Sequence, residues 1–231
     1  MRTVIGLGLV LAACGNDGGG GSVSIDNLGM ELATASCRKQ FDCCTAAELT
    51  AQYMGITYEG QPITTEDQCV AFSNAVFSSL AVASYRTSID MGRITYDGAA
   101  ASACIDAIDA LSCPAYAGGK VDDLAGCHPF LIPKVADGGG CTQDYECTSK
   151  NCEGETTPFG GQATDGACKP IPAIGAACED NCATGAYCSS GTCAAFKTDG
   201  TACILSSECA SDFCTGSPKA CAPKPLTCDG I

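Results

Sequence analysis

Cysteine limits this chain more than any other feature: 21 of its 231 residues are Cys, and there is no tryptophan. Usage at this density belongs to oxidising compartments, where modules too small to bury a sufficient apolar core are stapled covalently. A set of metal-ligating thiolates would instead need C-x-x-C pairs or Cys/His sets at short spacing. The chain has no C-x-x-C and a single histidine, His128. Disulfides are therefore expected, with no metal and no cofactor, outside the cytoplasm. The length allows one or two domains. A formal charge of −14 speaks against nucleic acid as a partner and reads first as a solvated surface, one that also suits cationic partners.

At the N-terminus, Met1 and Arg2 form a short basic start. Thr3 to Leu11 is apolar but shorter than the ~20 residues that span a bilayer, so residues 1–13 read as an export signal. Leu11-Ala12-Ala13-Cys14 resembles the bacterial lipobox. The resemblance implies cleavage ahead of Cys14, a diacylglycerol on its thiol, and a further acyl chain of the palmitate kind. Two or more chains anchor stably where one binds marginally, so the membrane becomes a partner through the lipid on Cys14. Gly15, rather than aspartate, follows, which by resemblance to the enterobacterial sorting rule implies the outer membrane or cell surface. Residues 14–24, rich in glycine, read as a flexible tether. Cleavage also removes Arg2, making the chain one unit more acidic, and the lipid on Cys14 leaves an even number of cysteines for pairing.

Residues 25–127 carry a helical pattern, with apolar residues recurring every three or four positions. Leu28, Leu32, Cys37, Phe41 and Cys44 fall near one face. Thr45-x-x-Glu48 and Thr65-x-x-Gln68 read as capping boxes that start the second and third helices. In the third, Cys69, Phe72, Val76 and Leu80 recur at helical spacing. After an Asp97-Gly98 turn, a fourth carries Cys104, Ile108 and Leu111 until Pro114 stops it. The reading is a helical bundle stapled from within by Cys37, Cys43, Cys44, Cys69, Cys104, Cys113 and Cys127, with partners open. A redox role for the vicinal Cys43-Cys44 pair is the lesser alternative.

After a linker at 128–137, the composition changes to glycine, cysteine and short polar stretches, and the spacing repeats over 138–228. Each repeat opens with G-x-x-C: Gly138 to Cys141, then Cys147, Cys152 and Cys168; Gly175 to Cys178, then Cys182, Cys188 and Cys193; Gly200 to Cys203, then Cys209, Cys214 and Cys221. The modules are thus 138–168, 175–193 and 200–221. The first and third share C-x5-C-x4-C; the second is either shortened or differently paired. Asp137-Gly138, Asp165-Gly166 and Asp199-Gly200 read as turns between short strands. Four cysteines allow three pairings, and the residues alone do not choose. With seven cysteines in the helical part and thirteen in the tail, three closed quartets leave Cys228 to bridge back to the bundle.

The spacing, in the contexts Glu146-Cys147, Asn151-Cys152, Glu208-Cys209 and Phe213-Cys214, resembles the cysteine-rich fingers of Dickkopf and colipase-type proteins. In those, first pairs with third and second with fourth. The resemblance implies Cys141–Cys152, Cys147–Cys168, Cys203–Cys214 and Cys209–Cys221, and it implies architecture rather than signalling or lipase binding. The fold expected is therefore small and disulfide-rich, a helical bundle followed by three modules of short strands and loops. The whole layout resembles the cysteine-rich lipoproteins of myxobacteria and their relatives.

Chemistry is harder to find. Any Ser-His-Asp or Cys-His arrangement would have to use His128, in the linker, as its base. No G-x-S-x-G, H-E-x-x-H, P-loop or calcium-loop ladder occurs. Carboxylate pairs such as Asp122-Asp123 and Glu179-Asp180 lie in loops rather than across a cleft. The expectation is a non-enzymatic lipoprotein with a binding, adhesive or structural role towards a protein or envelope ligand. Tyr145, Phe159, Tyr187, Phe196 and Phe213 are its candidate contact groups or, equally, the apolar plugs of the modules. The alternatives are an inhibitor presenting the Lys197 or Lys219 segment to a protease or another enzyme, and an extracytoplasmic hydrolase built on His128.

Overall fold

Three helices in the first half begin where the sequence supplies caps. The computed structural model describes residues 21–117, 127, 129–155, 165–179, 181–224 and 228, so Cys14, His128, Phe159, Asp122, Asp123 and Asp180 lie outside the described residues. Helix α1 (Leu28–Cys43) buries Leu28, Ala33, Ala35, Cys37, Gln40 and Cys43, with Cys44 as its C-cap. Helices α2 (Ala46–Gln52) and α3 (Glu66–Val76) open on the capping boxes of Thr45 with Glu48 and Thr65 with Gln68. Between them, β1 (Thr57–Tyr58) and β2 (Gln61–Pro62) pair across Glu59-Gly60, both at positive φ (51° and 75°) as a tight hairpin turn requires.

Helix α3 runs on through a π-helical segment, Phe77–Val82, into α4 (Ala83–Asp90). The expected inward face therefore holds only at its start. Val76 and Leu80 are exposed, and Val82 is buried in their place. A π turn takes more residues than an α turn, so the inward position slips along the chain.

After β3 (Ile94–Tyr96), the Asp97-Gly98 pair is a helix start rather than a turn. The Asp97 carboxylate accepts from the amides of Ala99 and Ala100, both at 3.0 Å, and caps α5 (Gly98–Asp109). A Cβ on Gly98 would stand 2.4 Å from the Val23 carbonyl oxygen. Val23 itself donates its amide to Gly98 and accepts from the Tyr96 hydroxyl, so the end of the expected tether is packed on the body. Helix α5 ends at Asp109, before Pro114. Pro114 sits instead in the first turn of a short helix, α6 (Cys113–Ala117), where a missing amide loses no helical bond.

The body packs α1 against α3 and α5 around three apolar clusters: Leu28 with Val82 and Ala101; Ala35 with Cys104, Ile105 and Ile108; and Ile63 with Cys37 and Cys69. Disulfides Cys37–Cys69, Cys43–Cys113 and Cys104–Cys127 join its segments, and Cys44–Cys228 returns the C-terminal end to it. Cys43 and Cys44 therefore bond distant partners rather than each other.

Residues 128–137, expected as a linker, carry β4 (Leu131–Pro133), which pairs antiparallel with β3. The first module then pairs β5 (Gly140–Cys141), β6 (Cys152–Glu153) and β7 (Gly166–Cys168) in the order β5-β7-β6. Gly166 opens β7 rather than lying in a turn, because its α-carbon passes so close to β6 that a Cβ would meet the Glu153 carbonyl oxygen at 2.4 Å. The second and third modules are the antiparallel pairs β8 (Ala186–Ser189) with β9 (Thr192–Ala195) and β10 (Cys214–Thr215) with β11 (Ala220–Cys221).

Every module bonds first cysteine to third and second to fourth: Cys141–Cys152 and Cys147–Cys168, Cys178–Cys188 and Cys182–Cys193, Cys203–Cys214 and Cys209–Cys221. The middle copy is thus shortened, not re-paired. Its C-x5-C-x4-C stretch joins the second, third and fourth cysteines, where the other copies use the first, second and third. One backbone bond recurs in all three, from the opening glycine's amide to the fourth cysteine's carbonyl: Gly138 to Cys168 (2.7 Å), Gly175 to Cys193 (2.8 Å) and Gly200 to Cys221 (2.8 Å). Each of these glycines has φ between 83° and 86°, a region that side chains resist. Ten disulfides in one small chain belong to an oxidising, extracytoplasmic environment. No helix among the described residues is long and apolar enough to cross a membrane.

Candidate functional site

The loop between the first two cysteines decides what each module touches. In the first and third modules it is five residues long, Thr142–Glu146 and Ile204–Glu208, and ends in a 3₁₀ turn. The glutamate before the second cysteine reaches back to the amide after the first: Glu146 accepts from Thr142 at 2.7 Å and Glu208 from Ile204 at 3.0 Å. The same loop frame then serves two ends.

In the first module the loop docks on the helical body. The Glu146 carboxylate is fully buried, accepts from the Ser88 hydroxyl and lies 3.4 Å from the Arg93 guanidinium. Arg93 also makes two 2.9 Å bonds to Asp165 of the same module. Tyr145 packs edge-on against Tyr85, centroids 5.2 Å apart, and its hydroxyl lies 2.6 Å from that of Ser84. Burial, with the nearby Tyr145, pushes the Tyr85 hydroxyl pKa up. Tyr145, expected among the contact groups, is therefore engaged within the chain.

The shortened loop of the second module docks on the first, with Asn181 donating to Asp144 at 2.8 Å and Glu179 accepting from the Gly154 amide at 3.0 Å. In the third module, Glu208 takes its cation from Lys197, 2.6 Å away. The hydrogen bond to Glu208 holds the Lys197 ammonium above the usual lysine range, and Lys197 holds the Glu208 carboxyl below the usual carboxylate range.

Several large apolar side chains of the tail face outward among its polar ones. Tyr187 and Phe196 stack with planes 9° apart, and Phe196 keeps part of its ring at the surface. Ile171, Ile174, Ile204 and Leu205 are exposed, the last two by 72% and 61%. Phe213 is half-buried beside Cys214. The aromatic candidates of the sequence do not include these aliphatic side chains. The signal was present, since Ile204-Leu205 stands where the first copy reads Thr142-Gln143.

Lys197 is ion-paired at the junction of two modules, and Lys219 lies in the tight turn that closes β10 and β11, its ammonium 3.5 Å from the Ile204 carbonyl oxygen. Neither forms the extended, free loop that insertion into a protease cleft requires. In each module three cysteine sulfurs gather within 4.8 Å: those of Cys141, Cys147 and Cys168, of Cys178, Cys182 and Cys193, and of Cys203, Cys209 and Cys221. All belong to disulfides, which present no thiolate to a cation.

Comparison with known protein families, with curated proteins and with solved structures returned no match.

Proposed function

We propose that this protein is a lipid-anchored, non-enzymatic lipoprotein of a bacterial cell envelope, with a binding or structural role exercised by its second and third modules. The observation that carries the reading is the set of exposed apolar side chains, Ile204 and Leu205 in the third module and Ile171, Ile174 and Phe196 in the segments flanking the second, beside frames closed by four disulfides. Large exposed apolar side chains suit contact surfaces, and a rigid frame lowers the entropy lost when they are covered. The anchor rests on the lipobox resemblance of residues 11–14. The likeness of the tail to Dickkopf and colipase-type fingers draws support from the common pairing order of its modules. The helical body and the docked first module then act as the base that holds the other two clear of the membrane.

Two measurements on the full protein test this. Non-reducing peptide mass spectrometry of the native membrane fraction should find a diacylglycerol mass on Cys14; an unmodified thiol there removes the anchor. Pull-down from envelope extracts should retain a ligand with the parent protein and lose it with Ile204→Asp/Leu205→Asp, while Met30→Asp on the helical body changes nothing. Equal recovery by all three would sink the assignment of the contact face.

A further inference from the structure

Between α2 and the β1–β2 hairpin the helical body holds a cavity of about 530 Å3. Its walls are formed largely by the side chains of Leu49, Tyr53, Met54, Ile56, Pro62 and Ile63, and no charged residue among those described lines it. Ile63 also packs into the cluster of Cys37 and Cys69 behind the cavity, and Tyr53 packs partly against that cluster. Helix α2 in front buries none of its residues. Protein interiors otherwise fill to crystal-like density, so an apolar space of this size, within the 300–1,000 Å3 range of small-molecule sites, is open to a ligand.

The polar atoms at its edge say what that ligand is. The Tyr53 hydroxyl donates to Gln40 at 2.6 Å, that of Thr50 to the Ala46 carbonyl at 2.8 Å, and that of Thr64 to Gln68 at 3.2 Å. Burial raises the Tyr53 pKa, which keeps that hydroxyl neutral. Among the described residues lining the cavity, Thr57 carries the one hydroxyl whose proton is not already donated within the chain. The walls therefore match a group with no charge and no hydrogen-bonding atoms of its own, and Met54, 81% exposed at the mouth, is a flexible thioether able to fold over it.

We propose that this cavity binds a single unbranched alkyl chain, with any polar head left at the mouth beside Thr57. A short, half-open cavity between one short helix and one hairpin suits a chain better than a partner helix, which would need a longer groove with anchors a turn apart. The site lies in the helical body and is independent of the contact face proposed for the modules.

The test is a fluorescence titration of the full, folded protein with dansyl-undecanoic acid. One saturable site per chain is expected, with laurate and dodecan-1-ol displacing the probe alike, because the chain and not the head is bound. Phosphatidylcholine vesicles form a third arm: displacement by them assigns the chain to a membrane lipid, and its failure beside displacement by laurate assigns it to a free fatty acid. Ile56→Asp and Met54→Asp should each weaken binding at least tenfold with the circular dichroism spectrum unchanged, while Ile204→Asp in the third module has no effect. No saturable binding, equal binding by Ile56→Asp and Met54→Asp, or a dimer of the parent protein that Ile56→Asp dissociates, would overturn the proposal; the last would give the cavity to a second copy of the chain.

Discussion

The two halves of this molecule reach a fixed structure by different means. In the helical body, cystines sit beside a core of side chains: Cys104 packs with Ala35, Ile105 and Ile108, and Cys37 and Cys69 with Ile63. In the tail the cystines are themselves the core. The buried cluster of the first module is Cys141, Cys147, Cys152 and Cys168, and that of the third is Cys203, Cys209 and Cys221. A helix brings apolar residues to one face every turn, whereas a module this small, with strands of two to four residues, has no face wide enough to bury. The body can therefore lose a cross-link and keep a hydrophobic reason to fold, and the modules cannot.

The sharpest way to break this comparison is to remove one disulfide from each half with the loop length held nearly constant. Cys104–Cys127 and Cys147–Cys168 close loops of 23 and 21 residues, so chain entropy assigns each about 3 kcal/mol. Cys147→Ser/Cys168→Ser should nevertheless abolish the first module's amide protection. Cys104→Ala/Cys127→Ala should lower the stability of the body while leaving a cooperative transition. Hydrogen exchange read by mass spectrometry separates the two, and equal loss in both halves would show that the apolar clusters of the body do not hold it.

A second contrast uses the two equivalent glutamates. Arg93→Ala leaves the Glu146 carboxylate buried without its cation, which costs about 3–5 kcal/mol for a fully buried charge. It should free the first module from the body, visible as faster exchange in Thr142–Glu146 and around Tyr85. Adding Glu146→Gln to that variant should recover part of the loss, because an amide is easier to bury than a carboxylate. Lys197→Ala, at the corresponding pair in the third module, should do far less, since both partners there keep contact with water. Similar losses from the two substitutions would mean that the loops are held alike.

The helix caps offer a smaller effect confined to one half. Thr65→Ala removes the oxygen that accepts from the Gln68 amide and should cost about 1 kcal/mol, read as a shift in the urea midpoint of the body with the exchange of the modules unchanged. Thr45→Ala should act alike through Glu48.

How far the sequence foretold each half follows from the same contrast. Capping boxes and cysteine spacing are local, so the starts of α2 and α3 and the three-copy layout were legible at Thr45, Thr65 and the G-x-x-C openings. The order of pairing came from resemblance, because four cysteines at fixed spacing allow more than one closure. The slip of the buried face from Leu80 to Val82 was hidden, since nothing in Phe77–Val82 marks a π turn. The pairing of β3 with β4 joins residues far apart in sequence. So does the bond between Arg93 and Glu146, which explains why a contact role was expected of Tyr145 when it packs against Tyr85. Periodicity alone could not reveal that Leu49 and Ile56 face an open cavity, as it reports which side of an element is apolar and not what fills the space before it.

The smallest effect concerns pH, and the Lys197–Glu208 pair gives its sign. The hydrogen bond from Lys197 holds the folded Glu208 carboxyl below its ordinary value of 4.5. A group so depressed adds stability at pH above its unfolded value, and that stability is lost as pH falls through the folded value. The Lys197 ammonium, raised by the same bond, adds stability below the unfolded lysine range and loses it as pH climbs through the folded one. Through this pair the third module should keep constant exchange protection around neutrality and weaken slightly on acidification past the carboxylate range. Glu208→Gln should flatten that acid limb. Among the described residues the second module shows no such pair in its shortened loop, so its protection should change less over the same acid interval. An acid limb of equal depth in both modules, or one that survives Glu208→Gln, would show that the cystine frames respond to their total charge rather than to this contact.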